Sequence, residues 1–476
     1  MATFLGWWNA MGLLVNESGS FRDPANSVVY LDGRVLRGLD AKAAADFSTF
    51  SATSAFAELR DSGKIIGTRQ LGDEEIPSEV AGRFSGVLEH QRVPFISYPY
   101  EWSFSMLQDA GALHLEILLA CLEDGVSMKD GYSFNLQFLG VNPVFIDIGS
   151  FEPVPSGPWI GYRQFCQTIL YPLMLEAHLD IPFQRTLMGH LDGITPSEMN
   201  RLLRGTSKYR RGVMRNVTLQ AATDKRFDRG GRKTQEDLGN SGFGAELNKA
   251  LAKKLLKTVT ELKSDRADSG WSAYRSTCSY SEEDREAKER FVTETASAGE
   301  IGVAWDLGAN DGAYARLIAK HAQQVIAVDY DDVTVDAMYR SFKEDGVTNI
   351  LPIVMNLVDP SPARGWRGTE RKAFTDRGKP DLVLALALVH HLALAANVPL
   401  SQIVEWFADI GGKLIVEFVE PHDPMAERLL GNKELGMFPD YRIEEFERLL
   451  RLRFEITSSL KLPSGRRTLY LCEPQR

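Results

Sequence analysis

The sequence predicts an α/β protein with a parallel, helix-flanked sheet in its C-terminal half and an α+β region before it. Three observations carry this. From Ala304 to Tyr330 the chain reads AWDLGANDGAYARLIAKHAQQVIAVDY. That is an apolar run closed by Asp306, a glycine turn, a helical pattern, a second apolar run and Asp329, the first half of a nucleotide-binding βαβ unit. Pro380 to Leu388 (PDLVLALAL) is a continuous apolar run, as expected of a strand covered on both faces. In the N-terminal half, short strand-like runs flank one long helical pattern, Trp102 to Glu123.

At 476 residues the chain is too long for one core, which predicts two or three domains. Hydrophobic content of 44% and charged content of 25% are those of a soluble globular protein. A net charge of −10 argues against a whole-protein nucleic-acid footprint. Cys121, Cys166, Cys278 and Cys472 lie far apart with no CxxC. They imply neither a disulfide framework nor a zinc site, and a cytoplasmic location is expected. The N-terminal MATFLGWWNAMGLLV lacks a basic lead and is too short to span a bilayer, so it reads as packing or partner-binding surface.

Taken in order, SVVYLDGRVLRGL (27 to 39) predicts a hairpin turning at Asp32-Gly33. Ala41 to Asp61 is alanine-rich and helical, Lys64 to Leu71 and Val93 to Tyr98 read as strands, and the Trp102 to Glu123 helix follows. After it come KDGYSFN (Lys129 to Asn135), a short strand, a turn at Gly140, and PVFIDIG (Pro143 to Gly149).

Asp130 to Asn135 has the D-x-x-x-x-N spacing of a kinase catalytic loop, and Asp147-Ile-Gly149 stands where such enzymes carry DFG. This stretch therefore resembles the protein-kinase-like fold. The resemblance implies Asp130 as the base and Asn135 and Asp147 as Mg²⁺ ligands, with ATP as cofactor if the motif is active. There are departures. No glycine-rich phosphate loop is apparent, the only nearby stand-in for the VAIK lysine is Arg37, and Met-Lys precedes Asp130. The competing reading is that these Asp and Asn residues simply cap turns.

Residues 157 to 205 continue as helices, with a break at Pro182 and a helix start at Thr195-Pro196-Ser197-Glu198. From Arg201 to Lys233 the chain is strongly basic, with Arg204, Lys208, Arg210, Arg211, Arg215, Lys225, Arg226, Arg229, Arg232 and Lys233 against Asp224 and Asp228. Contact with phosphates or an acidic partner is one reading, and a solvated linker is the favoured one. Phe243 to Leu262 predicts a helix with a narrow apolar stripe, and Ser281-Glu282-Glu283-Asp284 another helix start. Tyr274 and Tyr280 are read as facing a ligand or packing.

In the C-terminal half the turn Gly308-Ala309-Asn310-Asp311-Gly312 separates two ligand classes. A pyrophosphate would be repelled by acids before and inside the turn, whereas a cationic ligand with a free amino-acid end would be welcomed. The turn resembles motif I of the class I S-adenosylmethionine (SAM) dependent methyltransferases. That resemblance implies a Rossmann-like methyltransferase sheet with SAM as cofactor. It places Asp306, Gly308, Asn310 and Gly312 at the methionine part, Asp329 at the ribose and Asn356 at the adenine, with Tyr330 and Leu357 as further cofactor-binding residues. The expected strand ending in Leu388 is followed by His390 and His391, and at a strand end neighbouring side chains point opposite ways. Either one is a candidate base, with Glu420, His422 and Asp423 as second choices. Asn-Pro-Pro-Tyr, the mark of adenine or glutamine N-methylation, is absent.

The expected division is 1 to 205 kinase-like, 206 to 268 basic linker and helix, and 269 to 476 methyltransferase. SYPYEWSFSML (Ser97 to Leu107) and VLALALVHHLA (Val383 to Ala393) also resemble a bacterial family of methyltransferase or nodulation-type proteins. The expected function is methyl transfer from SAM to a small-molecule, saccharide or lipid-linked acceptor, at oxygen. The alternatives are a bifunctional kinase-methyltransferase acting on one acceptor, and a pseudokinase scaffold with a SAM-sensing domain.

Overall fold

The computed structural model describes residues 14 to 222, 244 to 268 and 281 to 475, apart from 432 and 435. Tyr274, Tyr280, Cys278, the first 13 residues and the stretch from Asp224 to Lys233 lie outside the described residues.

The N-terminal half opens with a five-stranded antiparallel sheet. Its strands are β1 (Val15–Asn16), β2 (Asn26–Leu31), β3 (Arg34–Leu39), β4 (Thr68–Gln70) and β5 (Gly86–His90), in the spatial order β1-β2-β3-β5-β4. The β2–β3 hairpin turns at Asp32 and Gly33, which both have positive φ (48° and 79°), as the expected two-residue turn requires. Two helices follow β3, not one: Ala41–Ser51 and Ser54–Asp61. The break has a local cause, because the Thr53 hydroxyl accepts the Phe56 amide and caps a new helix.

The strand expected at Val93 to Tyr98 is absent, and β5 lies earlier in the chain. Pro94 has no amide for a ladder, and Ser97 spends both its backbone groups on the side-chain amide of Gln137, at 2.9 Å each. Likewise the strand expected at Lys64 to Leu71 is confined to β4.

The helix Phe104–Glu123, capped by Ser103, is long and apolar enough to cross a membrane. Here it is the central core helix, with twelve buried residues. Short pairs β6 (Val126–Met128) with β9 (Phe151–Pro153) and β7 (Leu136–Leu139) with β8 (Asn142–Phe145) frame the loops bearing Asp130, Asn135 and Asp147. Helix Ala245–Glu261 does not stand apart as a linker element. It packs on Phe104–Glu123, and Gln108 donates to the Val259 and Leu262 carbonyls at 2.7 and 2.8 Å.

The C-terminal half is a seven-stranded sheet. Its strands are β10 (Ile301–Leu307), β11 (Ala322–Asp329), β12 (Ile350–Val354), β13 (Leu382–Ala385), β14 (Lys413–Val419), β15 (Phe454–Lys461) and β16 (Arg467–Pro474). The order is β12-β11-β10-β13-β14-β16-β15, parallel except for the closing β16 and β15. The strand expected to run to Leu388 ends at Ala385. The chain bends at Ala387 (φ 50°), whose amide donates to Glu417 Oε2 at 2.8 Å.

One apolar core runs through both halves, from Leu39 to Cys472. At their junction Arg377 forms a two-pronged pair with Glu101 (2.6 and 2.7 Å), both side chains closed to solvent. The guanidinium also lies over the Phe95, Tyr98 and Phe374 rings. Ser105 donates to Asp336, and Tyr339 to Asp109. Gly140 has φ 61°, and a Cβ there would come 1.8 Å from the Thr348 carbonyl oxygen, so only glycine fits this contact.

Candidate active site

The C-terminal ends of β10, β11, β12 and β13 lie side by side, where open α/β sheets bind ligands. The sheet therefore brings Asp306, the 308 to 312 turn, Asp329, Tyr330, Asn356, Leu357 and the histidine pair to one edge. Gly308 and Ala309 donate to the Val328 carbonyl at 2.8 and 2.9 Å, pinning the turn against β11. Gly312 has φ 77°, and a Cβ there would come 2.4 Å from the Phe342 ring, so the turn and helix Asp332–Glu344, which carries Phe342, can approach only without a side chain.

Asp329 is buried at the end of β11 and accepts the Asn310 amide (2.9 Å) and the Asp331 amide (3.1 Å). Burial raises its pKa, and those two amides work in the opposite direction. Asp306 is 2% exposed, and its Oδ2 has no hydrogen-bond partner among the described residues. Burial pushes its carboxyl up to about 7, with the Lys288 ammonium working in the opposite direction. Tyr330 is exposed. Asn356 is exposed too, and its Oδ1 accepts the Val358 amide at 3.1 Å in a local turn. This uses one of that oxygen's two lone pairs and leaves one for a ligand.

The histidines do not sit at a strand end with opposed side chains. They begin a helical turn, His391–Ala395, beyond the bend at Ala387, and their rings stand 4.2 Å apart, centre to centre. His390 is buried and its Nδ1 has no partner among the described residues. Burial first, then the charges of Arg467 and Lys288 and its neighbour His391, bring its pKa down to about 2. His391 is only half-buried, and its pKa is also lowered, by burial and by Arg467.

Behind this pair lies a buried charged network that the sequence reading missed. Lys288 Nζ donates to Glu417 Oε2 at 2.7 Å, and Arg467 reaches Glu417 at 3.6 Å while gripping Asp423 through two hydrogen bonds. Glu417 also holds the Ala387 amide, so it fixes the bend that delivers the histidines. Its one trace in the sequence is the carboxylate inside the apolar run of β14, KLIVEFV. Lys288 left none.

In the N-terminal half, Asn135 and Asp147 meet. Asn135 Nδ2 donates to Asp147 Oδ2 at 3.4 Å, and Arg37 Nη1 donates to Asp147 Oδ1 at 2.8 Å. His90 receives the Arg37 Nε–H at 3.2 Å on one ring nitrogen and contacts Thr68 Oγ1 at 2.9 Å with the other. Burial, and secondarily the charge of Asp147, raises the pKa of Asp130. Asp147 thus meets a guanidinium where the sequence expectation placed Mg²⁺. Among the described residues no group of three or more His, Cys, Asp or Glu could hold a metal ion.

The strand order of the C-terminal sheet and the residues along its edge define an α/β protein with a mostly parallel, helix-flanked sheet and a ligand edge at its C-terminal strand ends. No protein-family model matches the chain. It is 32% identical over 463 residues to nodulation protein NoeA of Rhizobium meliloti (strain 1021), covering 96% of this chain and 95% of that one. The chain belongs to the NoeA family. Among solved structures it is similar to N-methyltransferase NodS from Bradyrhizobium japonicum in complex with S-adenosyl-L-homocysteine. There the identity is 12%, with 44% of this chain and 96% of that one covered, at a TM-score of 0.33. It is also similar to a ribosomal protein L11 methylase from Lactobacillus delbrueckii subsp. bulgaricus, at 16% identity, covering 41% and 81%, with a TM-score of 0.27.

Proposed function

We propose that this protein transfers a methyl group from SAM to a hydroxyl of a small-molecule, saccharide or lipid-linked acceptor. The observation that carries the reading is Asp306. A buried carboxylate oxygen without a partner, at the ligand edge of a parallel sheet, suits a cationic group. The amino group of a methionine moiety is such a group. Asp329, whose carboxylate keeps further lone pairs, suits the two ribose hydroxyls, with the 308 to 312 turn between them and Tyr330, Asn356 and Leu357 toward the adenine.

When bound, the cofactor's sulfonium supplies an electrophilic methyl group. The protein's own tasks are to orient the acceptor, exclude water and take a proton. His391 is better suited than His390 to receive that proton, because it is less buried. Asp423 is committed to Arg467 and to capping the helix Pro424–Leu430.

Calorimetric titration with S-adenosylhomocysteine tests the reading. Binding by the wild type that is lost in Asp329→Ala supports it, and absence of binding by the wild type would sink it. Transfer of labelled methyl groups to saccharide or lipid-linked acceptors then tests the acceptor class.

A second reading adds phosphotransfer to the N-terminal half, as in the kinase-like resemblance. What favours it is the meeting of Asn135 and Asp147 beneath Arg37 of β3. It requires ATP turnover that Asp147→Ala abolishes, and no turnover by the wild type with a methylatable acceptor present would end it.

A further inference from the structure

A helical face carries a groove that neither reading uses. It has a volume of about 340 Å³ and lies between Gly205–Thr218 and the helix Ala245–Glu261. Gly212 makes the close approach possible. Its φ is 76°, and a Cβ would come 2.7 Å from Met174 and 2.8 Å from Thr258.

The walls hold Arg210, Arg211, Arg215, Lys254 and Lys257 against one carboxylate, Glu261. Arg211 pairs with Glu261, and Arg210 donates to the His178 carbonyl. For Arg215, Lys254 and Lys257 no carboxylate partner occurs among the described residues. Lys254 and Lys257 are three apart on one helix, where like charges repel unless an anion lies between them. This local positive charge stands out in a chain of net charge −10.

The groove is also apolar. Leu251 and Leu255 form its floor. At its rim Met214 is 43% exposed, and nearby Leu219 is 58% and Tyr209 72% exposed, all on the segment that supplies the arginines. Cations without a carboxylate partner among the described residues, beside exposed apolar side chains, suit a ligand that is anionic at one end and apolar at the other. A solvated charged face would need no apolar floor.

We infer that this groove binds a phosphate ester, that of an anionic phospholipid head group or of a soluble organic phosphate. Phosphate oxygens would accept from Arg215, Lys254 and Lys257, and the carbon part would lie toward Leu251, Leu255 and Met214. The inference does not depend on the methyltransferase reading.

The test uses the full chain and two probes. Flotation with vesicles of phosphatidylcholine alone, or with a third phosphatidylglycerol, reports the lipid source. Calorimetry with glycerol 3-phosphate reports the soluble one. Binding to anionic but not neutral vesicles, weakened at least tenfold in Lys254→Glu/Lys257→Glu and by raised salt, assigns the groove to lipid. Titration by glycerol 3-phosphate without vesicle binding, again lost in the double variant, assigns it to soluble phosphate esters. The milder Lys254→Gln/Lys257→Gln variant and an unchanged thermal unfolding transition guard against misfolding. Binding of neither probe, or binding that the variants leave untouched, overturns the inference.

Discussion

Lys288 Nζ lies 2.7 Å from Glu417 Oε2, with the two side chains 2% and 0% exposed. Helix Glu282–Ser297 and strand β14 are thus tied together behind the histidine pair. A buried pair of this kind contributes little net stability over an apolar pair, but removing Lys288 leaves the buried Glu417 charge to its longer, 3.6 Å pairing with Arg467. Lys288→Met alone should therefore cost about 3–5 kcal/mol. The double variant Lys288→Met/Glu417→Leu should recover part of that loss. Urea unfolding of the three proteins measures the coupling, and strictly additive losses would contradict it.

The Glu101–Arg377 pair sits inside the core shared by both halves. The halves should therefore unfold together. Differential scanning calorimetry of the wild type should show one cooperative transition. Arg377→Met should lower it by several degrees, because Glu101 is left buried without its partner. Two separate transitions in the wild type would mean that the junction does not couple them.

Asp306 gives a pH dependence with a definite sign. Its carboxyl is raised to about 7, above its value in the unfolded chain. In the ligand-free protein the stability this contributes is fully present at low pH and is lost as pH rises through 7. Affinity for a cationic ligand runs the other way, since it needs the ionised form. S-adenosylhomocysteine should bind about tenfold more weakly at pH 6 than at pH 8. Asp306→Asn should weaken binding and flatten the profile, and an unchanged profile in that variant would show that another group governs it.

The two histidines should separate in kinetics. Burial holds His390 neutral down to about pH 2, so it contributes no limb to a rate profile between pH 5 and 8. His391→Ala should lower methyl transfer at least 100-fold with little change in S-adenosylhomocysteine affinity. His390→Ala should act mainly through packing, with a smaller loss in rate and a measurable loss in stability. Equal rate losses would mean that the two adjoining rings act as one unit.

Much of the fold was written locally. The turn from Asp306 to Gly312, the acid closing β11, the Asp32-Gly33 hairpin and the Thr195 helix start each depend on residues a few positions apart. Backbone conformation and capping at such spacings are settled by the residues themselves. The fusion of a five-stranded antiparallel sheet to a seven-stranded, mostly parallel one was legible as two regions of different pattern. That they share one core was not, because Arg377 and Glu101 lie 276 positions apart. The same holds for Lys288 and Glu417, 129 positions apart, and for the bend at Ala387 that their network fixes. A long apolar run reads as strand until a distant carboxylate captures one of its amides. The sequence determined the elements and the chemistry each could offer. Tertiary structure alone decided which charges meet in the dark interior, where desolvation makes the pairing obligatory.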